Sequence, residues 1–547
     1  MNSDVIKTKN NTIKDCWELI KLSFEKKRIK KKSLTIVLFF LFLNLSATTY
    51  FISPNGNDVA PGSAILPWRT LANACRKTLS GDIIFVNPGS YLETEICYLP
   101  SGVSIEGAGT TSRLVLAFII LDGAGGNQHI SNVKLDGNNL DGGNNIFING
   151  RHDVVINNCT FTNYRFGNLY YATKEQQYAI EVWYSYNVEI HHNTIEGGIR
   201  SIMNNKNLNI HHNIIGKQAL NTLPEVGIYL CDADNIHIWN NKFKNLASAI
   251  VLTSYGTTIM KDVYIYCNLV TDLGVISSNV WGYGSGIQFG GLTSGIVRNI
   301  HLINNTMSAN PGNRQTMIGI WMPTITDGIG KKIVIRNNII RGFQYASILA
   351  AGPQPRMDSV FIENNIFYEN AILGEGYATN NLPYYTNVPL PIYNIQQNNM
   401  VVNPLFVSST DYHIQGTSPG RGTGIYTLWI LVYHDGDNYH APPNIGAYNG
   451  YMTPLVDNPV ANKDELLIYP IPASDNISII VKDPNFNPTQ LQILDYVGRI
   501  VMEETMTGNE ILHLPIDLKP GFYVVKVVNA QQKIIIQKII IQQIFVK

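Results

Sequence analysis

Apolar and polar residues alternate in a short motif that recurs along the middle of the chain. In Val188–Ile195 and Leu208–Ile215 the first and third positions are apolar, and two polar residues, an asparagine and further apolar residues follow. This alternation has the period of a strand with one buried face. The asparagine position recurs at 138, 159, 193, 213, 241, 268, 305, 338, 365 and 398, at spacings of 20 to 37 residues. Such a period predicts stacked supersecondary units rather than independent domains.

The recurring asparagine predicts a right-handed parallel β-helix of about ten or more coils. It stands where the chain must turn between two strands, a left-handed conformation suits it there, and its amide can bond the same turn in the next coil. A leucine-rich or ankyrin array would show helical periods and fixed repeat lengths, which these repeats lack. We therefore expect a buried internal ladder that includes Asn213, Asn241, Asn305, Asn338 and Asn365.

A second, shorter strand precedes most copies of the motif and predicts a second parallel sheet. These apolar-x-apolar segments begin at Ile180, Ile199, Ile228, Ile250, Ile287, Ile320 and Ile348. Their middle residues should point outward and line up from coil to coil.

The composition agrees with a chain that makes many fixed turns. Among 547 residues there are 60 Asn and 45 Gly, both of which tolerate the left-handed backbone region. The 40 basic and 40 acidic residues balance, so we expect no broad basic surface and no nucleic-acid partner.

The first 47 residues have the order of a secretory signal peptide. Ten Lys or Arg and four Asp or Glu lie in residues 1–32, the apolar run Leu34–Leu45 follows, and small residues come next at 46–48. About twelve apolar residues are too few to span a bilayer, which needs roughly twenty. A membrane anchor is the alternative interpretation.

Five cysteines follow this signal. An odd number without a C-x-x-C spacing argues against a disulfide framework or a zinc site, so we predict buried free thiols. A bridge between Cys75 and Cys97 is the alternative.

The segments around Tyr50–Asp58, Pro67–Leu71 and Gly81–Tyr91 resemble the opening of secreted, pectate-lyase-like β-helix proteins. The resemblance implies a cap and first coils over 48–128, with a short helix near Leu71–Leu79 that protects the first strand edges. Asn403–Val407 and Asn444–Tyr448 resemble the end of the same fold, so the repeats and their C-terminal end should occupy 129–450. The fold hosts lyases, hydrolases, epimerases and non-catalytic surface proteins, so it leaves the activity open.

The last part of the chain predicts a separate domain. Residues 451–463 have the composition of a linker, and short alternating strands in 464–547 predict a small β-sandwich. Leu466–Ala473, Leu491–Val501 and Pro520–Val527 resemble the type A C-terminal sorting domain of type IX secretion. That resemblance implies the type IX secretion machinery as a partner and a secreted or outer-membrane surface location. A carbohydrate-binding sandwich is the alternative.

Outward residues of the second sheet form the candidate site. The predicted row contains Glu181, Arg200, Tyr229, Val251, Gln288, Trp321 and Leu349, with Trp183 beside Glu181 and long loops contributing Lys174, Trp281, Tyr283 and Arg314. Aromatic and polar groups in a groove suit sugar rings. We assign Trp183, Gln288, Trp321, Trp281, Tyr283 and Arg314 to substrate binding and expect a monomer that binds polysaccharide.

Three functions are compatible with this row. In a polysaccharide lyase, Arg200 would hold a uronate carboxylate while Lys174 or Tyr229 takes the neighbouring proton, with Glu181 beside them. A glycoside hydrolase would need two carboxylates about 5–10 Å apart, such as Glu181 with Glu175 or Asp232. A non-catalytic adhesin or glycan-binding surface is the alternative to both enzymes.

We assign no metal ligands from the sequence. The pairs His191–His192 and His211–His212 would bring four imidazoles together, but no aligned acidic residue is evident, so we expect a solvated ladder. Asp232 and Asp234 could bind Ca²⁺ or could form a turn. Ca²⁺ is therefore the one cofactor left open.

We predict that deletion of residues 464–547 abolishes surface delivery, because the sorting domain supplies the export signal. Fractionation with an antibody against the β-helix would measure it, and intact periplasmic protein would show that the truncated chain still folds. Normal surface display of the truncated chain would contradict the prediction.

Overall fold

The structure is a computed structural model of the whole chain. It describes residues 47–122, 125–138, 146–164, 178–216, 226–254, 259–273, 284–289, 296–309, 317–322, 329–343, 346–350, 357–370, 384–385, 395–449, 466–469, 476–483, 485–494, 500–506, 508, 511–515, 518, 521–531 and 534–541. The apolar core of the predicted signal and the predicted linker lie outside the described residues.

Stacked parallel strands form a β-helix. Its strands are β1 (Thr49–Ile52), β2 (Ile83–Val86), β3 (Gly89–Leu92), β4 (Cys97–Tyr98), β5 (Ser104–Val115), β6 (Ile119–Asp122), β7 (His129–Asp136), β8 (Ile146–Asn149), β9 (His152–Asn157), β10 (Thr160–Thr162), β11 (Ile180–Trp183), β12 (Tyr186–His191), β13 (Thr194–Ile195), β14 (Ile199–Ile202), β15 (Lys206–His211), β16 (Ile214–Gly216), β17 (Val226–Cys231), β18 (Asp234–Trp239), β19 (Lys242–Lys244), β20 (Ser248–Thr253), β21 (Ile259–Tyr266), β22 (Leu269–Leu273), β23 (Gly284–Phe289), β24 (Ile296–Ile303), β25 (Thr306–Ala309), β26 (Met317–Met322), β27 (Ile329–Arg336), β28 (Ile339–Arg341), β29 (Ala346–Ala350), β30 (Met357–Glu363), β31 (Ile366–Tyr368), β32 (Tyr384–Tyr385) and β33 (Ile395–Gln397).

The strands form the two predicted parallel sheets. Within the described residues the first has 22 strands, and most coils contribute one longer and one shorter strand to it, as β12 and β13 do. The second has 11 strands in the order β4-β6-β8-β11-β14-β17-β20-β23-β26-β29-β32, which confirms the apolar-x-apolar segments as one sheet. The inward side chains of one coil, such as Val188, Ile190 and Ile195, are at most 1% exposed and form a continuous core with the neighbouring coils.

The asparagine ladder is present and buried. The backbone N–H and Nδ2 of each asparagine donate to Oδ1 of the next one at 2.9–3.1 Å. Its members are Asn193, Asn213, Asn241, Asn268, Asn305, Asn338, Asn365 and Asn399. The first seven are at most 2% exposed, so the predicted ladder is confirmed.

The residue with the left-handed backbone conformation is the one before each ladder position. Sequence analysis assigned this conformation to the ladder asparagine itself, which is one position too late. These preceding residues have φ of 53–56° and are Asn158, His192, His212, Asn240, Cys267, Asn304, Asn337, Asn364 and Asn398. One residue bends the chain and the next bonds the neighbouring coil. The two roles look identical in sequence where both residues are asparagine.

The predicted ends of the ladder need correction. Asn398 is the bending residue and Asn399 accepts the bonds from Asn365. Cys159 occupies a ladder position, where its backbone N–H donates to Asn193. The strand register places Val133 opposite Cys159, so Asn138 is not a ladder position.

A second, exposed amide ladder lies at the start of the longer strands. Asp153, Asn187, Asn207 and Asn235 all have φ of 53–56°. Their side chains bond from coil to coil at 2.8–3.0 Å. Sequence analysis missed this ladder, although it accounts for part of the high asparagine content.

A short helix covers the first coils, as predicted. Helix α1 (Leu71–Lys77) begins after Thr70, whose Oγ1 accepts from the N–H of Asn73 at 3.2 Å. The Glu93 carboxylate accepts from the N–H of Leu71 at 2.8 Å. All five described cysteines are free and buried, so the predicted free thiols are confirmed and the Cys75–Cys97 bridge is not formed.

Residues 401–449, here called the closing segment, pack against the outside of the first sheet. Ile430, Tyr433 and Tyr439 form a buried cluster with Cys267 and Ile303. The bending asparagines also hold this segment through hydrogen bonds. Nδ2 of Asn304 donates to the carbonyls of Asn444 and Gly446 at 2.7 and 2.9 Å, and Nδ2 of Asn337 donates to that of Ile425 at 2.8 Å.

The C-terminal part forms the predicted β-sandwich. Its strands are β34 (Leu466–Tyr469), β35 (Asn476–Val481), β36 (Pro488–Leu494), β37 (Ile500–Thr505), β38 (Leu512–Pro515), β39 (Gly521–Asn529) and β40 (Ile534–Ile541). A three-stranded sheet, β34-β35-β38, and a four-stranded sheet, β37-β36-β39-β40, are both antiparallel and share one apolar core. In the described part of the chain, no helix has the length and apolar character needed to cross a membrane.

We predict that Asn268→Ala lowers the free energy of unfolding by about 1–3 kcal/mol, because it leaves buried turn groups without partners. Urea denaturation would measure the change. The matched control is Asn207→Ala in the exposed ladder, which should cost no more than about 0.5 kcal/mol. Equal losses in the two variants would contradict a special role of the buried ladder.

We predict that the docking of the closing segment weakens at acidic pH. Burial lowers the pKa of His434 from 6.5 to about 4, and its Nδ1 lies 3.0 Å from the carbonyl oxygen of Cys267. The unfolded chain therefore takes up a proton first, so this contribution is complete above pH 6.5 and is lost as the pH falls to about 4. Urea midpoints across this window should fall less for His434→Asn than for the wild type; identical slopes would contradict the assignment.

Candidate functional site

The predicted outward row of the second sheet is in register. Strand pairing joins Glu181 to Arg200, Arg200 to Tyr229, and so on through Val251, Gln288, Trp321 and Leu349. We call these seven residues the site row. Their roles in binding or catalysis stay predictions.

The site row is less accessible than an open surface. Glu181 is 7% exposed, Gln288 is 5% exposed and Val251 is 1% exposed, while Arg200, Tyr229 and Trp321 are half-buried. Sequence alternation identifies the outward face, but it does not reveal what covers that face. An outward position is therefore not an exposed one at Glu181, Gln288 and Val251.

Glu181 and Arg200 form a largely buried ion pair. Nη2 of Arg200 lies 2.9 Å from Oε2 of Glu181, and the two side chains are 18% and 10% exposed. The Arg200 guanidinium also lies 5.3 Å from the ring centre of Tyr178. Burying such a pair costs desolvation free energy unless its remaining polar groups also have partners. The pair therefore differs from an exposed surface ion pair, which the coil-to-coil spacing alone would suggest.

Aromatic rings lie beside this pair. The ring of Trp183 meets that of Phe147 edge to face at 5.1 Å. Phe147 belongs to the preceding coil and pairs with Glu181. Sequence analysis would have found it by extending the predicted row to the preceding apolar-x-apolar segment, Ile146–Ile148. Nε1 of Trp183 and Nε of Arg200 are buried and have no hydrogen-bond partner within the described parts of the chain.

Tyr229 and Gln288 bond to their own sheet. The Tyr229 hydroxyl accepts from Oγ1 of Thr253 at 3.2 Å, and Oε1 of Gln288 accepts from Oγ of Ser285 at 3.4 Å. Tyr229 lies one coil from Arg200. This is the position on which its predicted role as the base of a lyase depends.

Several predicted site residues fall on segments that the structure does not describe. Lys174, Trp281, Tyr283, Arg314 and the alternative acid Glu175 are in this group. Their assignments stay predictions.

Asp232 has the features of a turn former, and Asp234 is the first residue of strand β18. Asp232 has φ of 54° and accepts from Oγ of Ser254, and Asp234 pairs with Lys261 at 3.0 Å. Asp232 follows Tyr229 by three residues and stands two coils from Glu181. Strand spacing therefore separates the two backbones by on the order of 10 Å or more, which does not favour a hydrolase pair.

A second concentration of polar groups lies on the first sheet. His191, His192, His211 and His212 are here called the histidine cluster. The rings of His191 and His211 stack at 5.0 Å, and those of His192 and His212 stack at 4.8 Å. The Nδ1 atoms within each pair are 2.7 and 2.8 Å apart.

The histidine cluster is not the fully solvated ladder that sequence analysis predicted. His211 is 8% exposed, and burial lowers the pKa of both His191 and His212 to about 4. An acidic residue is also present, because Oε1 of Glu189 lies 2.9 Å from Nε2 of His211. Glu189 stands two residues before His191 on the same outward face, a period-two relation that was visible in the sequence.

Two segments match known sequence families. Residues 467–542 match the secretion system C-terminal sorting domain, which shows that the chain carries a type IX sorting tail and is exported to the cell surface or secreted. Residues 54–282 match a family described as a protein of unknown function, DUF1565. None of the curated proteins is detectably similar to the chain.

Solved structures with some similarity include proteins of different activities. The surface adhesin PfbA of Streptococcus pneumoniae is 16% identical over 58% of this chain and 92% of its own, with a TM-score of 0.40. The DFA-IIIase of Arthrobacter chlorophenolicus A6 in complex with GF2 is 14% identical over 59% and 89%, with a TM-score of 0.35. Pectate lyase Pel9A is 13% identical over 74% and 97%, with a TM-score of 0.34. At this level of similarity none of them identifies an activity for this chain.

Proposed function

We propose that this exported protein binds polysaccharide on the outward face of its second sheet, centred on Glu181 and Arg200. The observation that carries the proposal is an ion pair on the outward face of the second sheet, in register with Phe147 on one side and Tyr229 on the other.

The rings supply the apolar part of the binding surface. Trp183 is half-buried, and Tyr184 at the end of β11 is 55% exposed, whereas Tyr178 beside Arg200 is buried and supports the guanidinium from within the protein. Sugar rings have apolar faces that pack on aromatic side chains, while their hydroxyls need polar partners close by.

The charged pair supplies the polar part. Sugar hydroxyls could accept from the partly exposed Arg200 guanidinium and could donate to the Glu181 carboxylate. Hydrogen bonds to charged groups contribute about 1.5–3 kcal/mol each, more than neutral ones. A uronate carboxylate would add a direct charge interaction with Arg200.

A polysaccharide lyase is the second candidate function, favoured by the position of Tyr229 one coil from Arg200. Arg200 would hold the uronate carboxylate, and Tyr229 or Lys174 would take the proton from the adjacent carbon. The electron pair of that C–H bond would form a carbon–carbon double bond, and the glycosidic oxygen would leave with the electrons of its bond and take up a proton. A hydrolase receives less support, because Asp232 is remote from Glu181.

The experiment is a glycan panel with two readouts. The purified exported protein is titrated with uronate-containing and neutral polysaccharides, and each mixture is followed for ultraviolet absorbance and reducing ends. Binding without either signal favours a non-catalytic surface protein, absorbance favours a lyase, and reducing ends without absorbance favour a hydrolase. Failure to bind any glycan would contradict the proposal.

We predict that Arg200→Ala and Glu181→Gln each weaken glycan binding about tenfold or more, because each removes a charged hydrogen-bond partner. The matched control is Glu363→Gln, which breaks the ion pair with Arg336 on the first sheet, where Nη2 and Oε2 are 2.6 Å apart. Calorimetry on folded variants would compare them. Equal loss in the control would assign the effect to stability instead of recognition.

A further inference from the structure

We infer that the histidine cluster binds a divalent transition metal ion, with Zn²⁺ the expected one. Ligand nitrogens of His192, His211 and His212 all lie within 4.8 Å of one another. Imidazole nitrogen suits Zn²⁺, Cu²⁺ and Ni²⁺, whereas Ca²⁺ and Mg²⁺ require oxygen ligands. This site lies on the first sheet and is independent of the proposed glycan surface.

Glu189 orients one ligand as carboxylates do in protein metal sites. It accepts from Nε2 of His211 at 2.9 Å, which leaves Nδ1 of that ring to face the cluster. A carboxylate on the far nitrogen of a ligating histidine fixes the ring and increases its basicity. Glu189 is therefore a positioning residue for His211.

Asn240 orients the second ligand. Its Nδ2 donates to the Tyr433 carbonyl at 3.3 Å, which fixes the direction of the amide, and it also contacts Nε2 of His212 at 3.2 Å. Nε2 of His212 therefore accepts, and its proton lies on Nδ1, 2.8 Å from Nδ1 of His211. For both Nδ1 atoms to offer lone pairs to a metal ion, this proton moves to Nε2 of His212 and the Asn240 amide turns so that its Oδ1, a buried atom without a partner within the described residues, accepts from that N–H.

One ring must move to complete the site. Two nitrogens on one Zn²⁺ can be no more than about 4.2 Å apart, because each Zn–N bond is about 2.0–2.1 Å. His192 is exposed and can supply the movement, whereas His211 is buried. His191, whose Nδ1 lies 2.7 Å from that of His192, or a water molecule would complete four-coordination.

The ion would join two consecutive coils next to the closing segment. His192 belongs to one coil and His211 and His212 belong to the next, and Asn240 links His212 to Tyr433 of the closing segment. The closing segment contacts the first sheet at Asn240, and the coils that would hold the ion precede that residue in the chain. Metal binding would therefore stabilise coils that lie just before those held by the closing segment.

The test is Zn²⁺ titration of the full-length protein, prepared without a polyhistidine tag and stripped with a chelator. We expect one ion per chain by calorimetry. His192→Ala should weaken binding by at least about tenfold and Glu189→Gln by about 10- to 100-fold. The control is His237→Ala, an outward histidine on the next coil that stacks on Tyr264 and should leave the affinity unchanged.

Co²⁺ gives a second readout that does not depend on stability. Visible absorption bands of nitrogen-coordinated Co²⁺ should appear in the wild type and in His237→Ala, and should be lost in His192→Ala. Because His192 is exposed, its variant should fold normally, which thermal melting would verify. Absence of Zn²⁺ binding in the wild type, or wild-type affinity in folded His192→Ala, would overturn the inference.

Discussion

The architecture depends on one interaction, the hydrogen bond between a buried asparagine side chain and the same turn in the next coil. The bend of each coil is buried, so water cannot form hydrogen bonds with its backbone N–H and carbonyl groups. Oδ1 of Asn305, for example, accepts from both the N–H and Nδ2 of Asn268, while Nδ2 of Asn305 donates to the Ile265 carbonyl of the preceding coil. An unsatisfied buried group costs about 1–3 kcal/mol, so a residue without a polar side chain of matching reach at this position leaves the turn under-bonded.

The ladder also determines where functional side chains lie. By holding the turns in line, it sets the register of both sheets, and residues 19 apart in sequence, such as Glu181 and Arg200, become neighbours within 2.9 Å. The bending residue before each ladder position points away from the core and differs among coils. It is histidine at 192 and 212, where we infer a metal site, and asparagine at 240, 304 and 337, where the closing segment docks. One repeated turn thus serves both packing and chemistry.

The sequence was sufficient for the features that repeat and insufficient for those that do not. The two sheets and the ladder residue Asn305 follow from local periodicity, because the same rule applies in every coil. The sandwich follows from its short alternating strands, and the cap helix was implied by the family resemblance. Sequence analysis could not tell that Asn398 is the bending residue and Asn399 the ladder residue, since both are asparagine. The burial of Glu181 and the docking of the closing segment on Asn304 depend on residues far apart in sequence. Phe147 and Glu189 could have been found by applying the period-two rule one step further.

Hydrogen exchange measured by mass spectrometry on the exported protein tests the central claim most directly. If the ladder holds the coils together, peptides that contain Asn213, Asn268, Asn305 and Asn338 should exchange slowly and at similar rates, because their amides open only when neighbouring coils separate. Peptides around the exposed ladder at Asn187 and Asn207 should exchange faster. Ladder peptides that exchange as fast as the exposed turns would contradict the account.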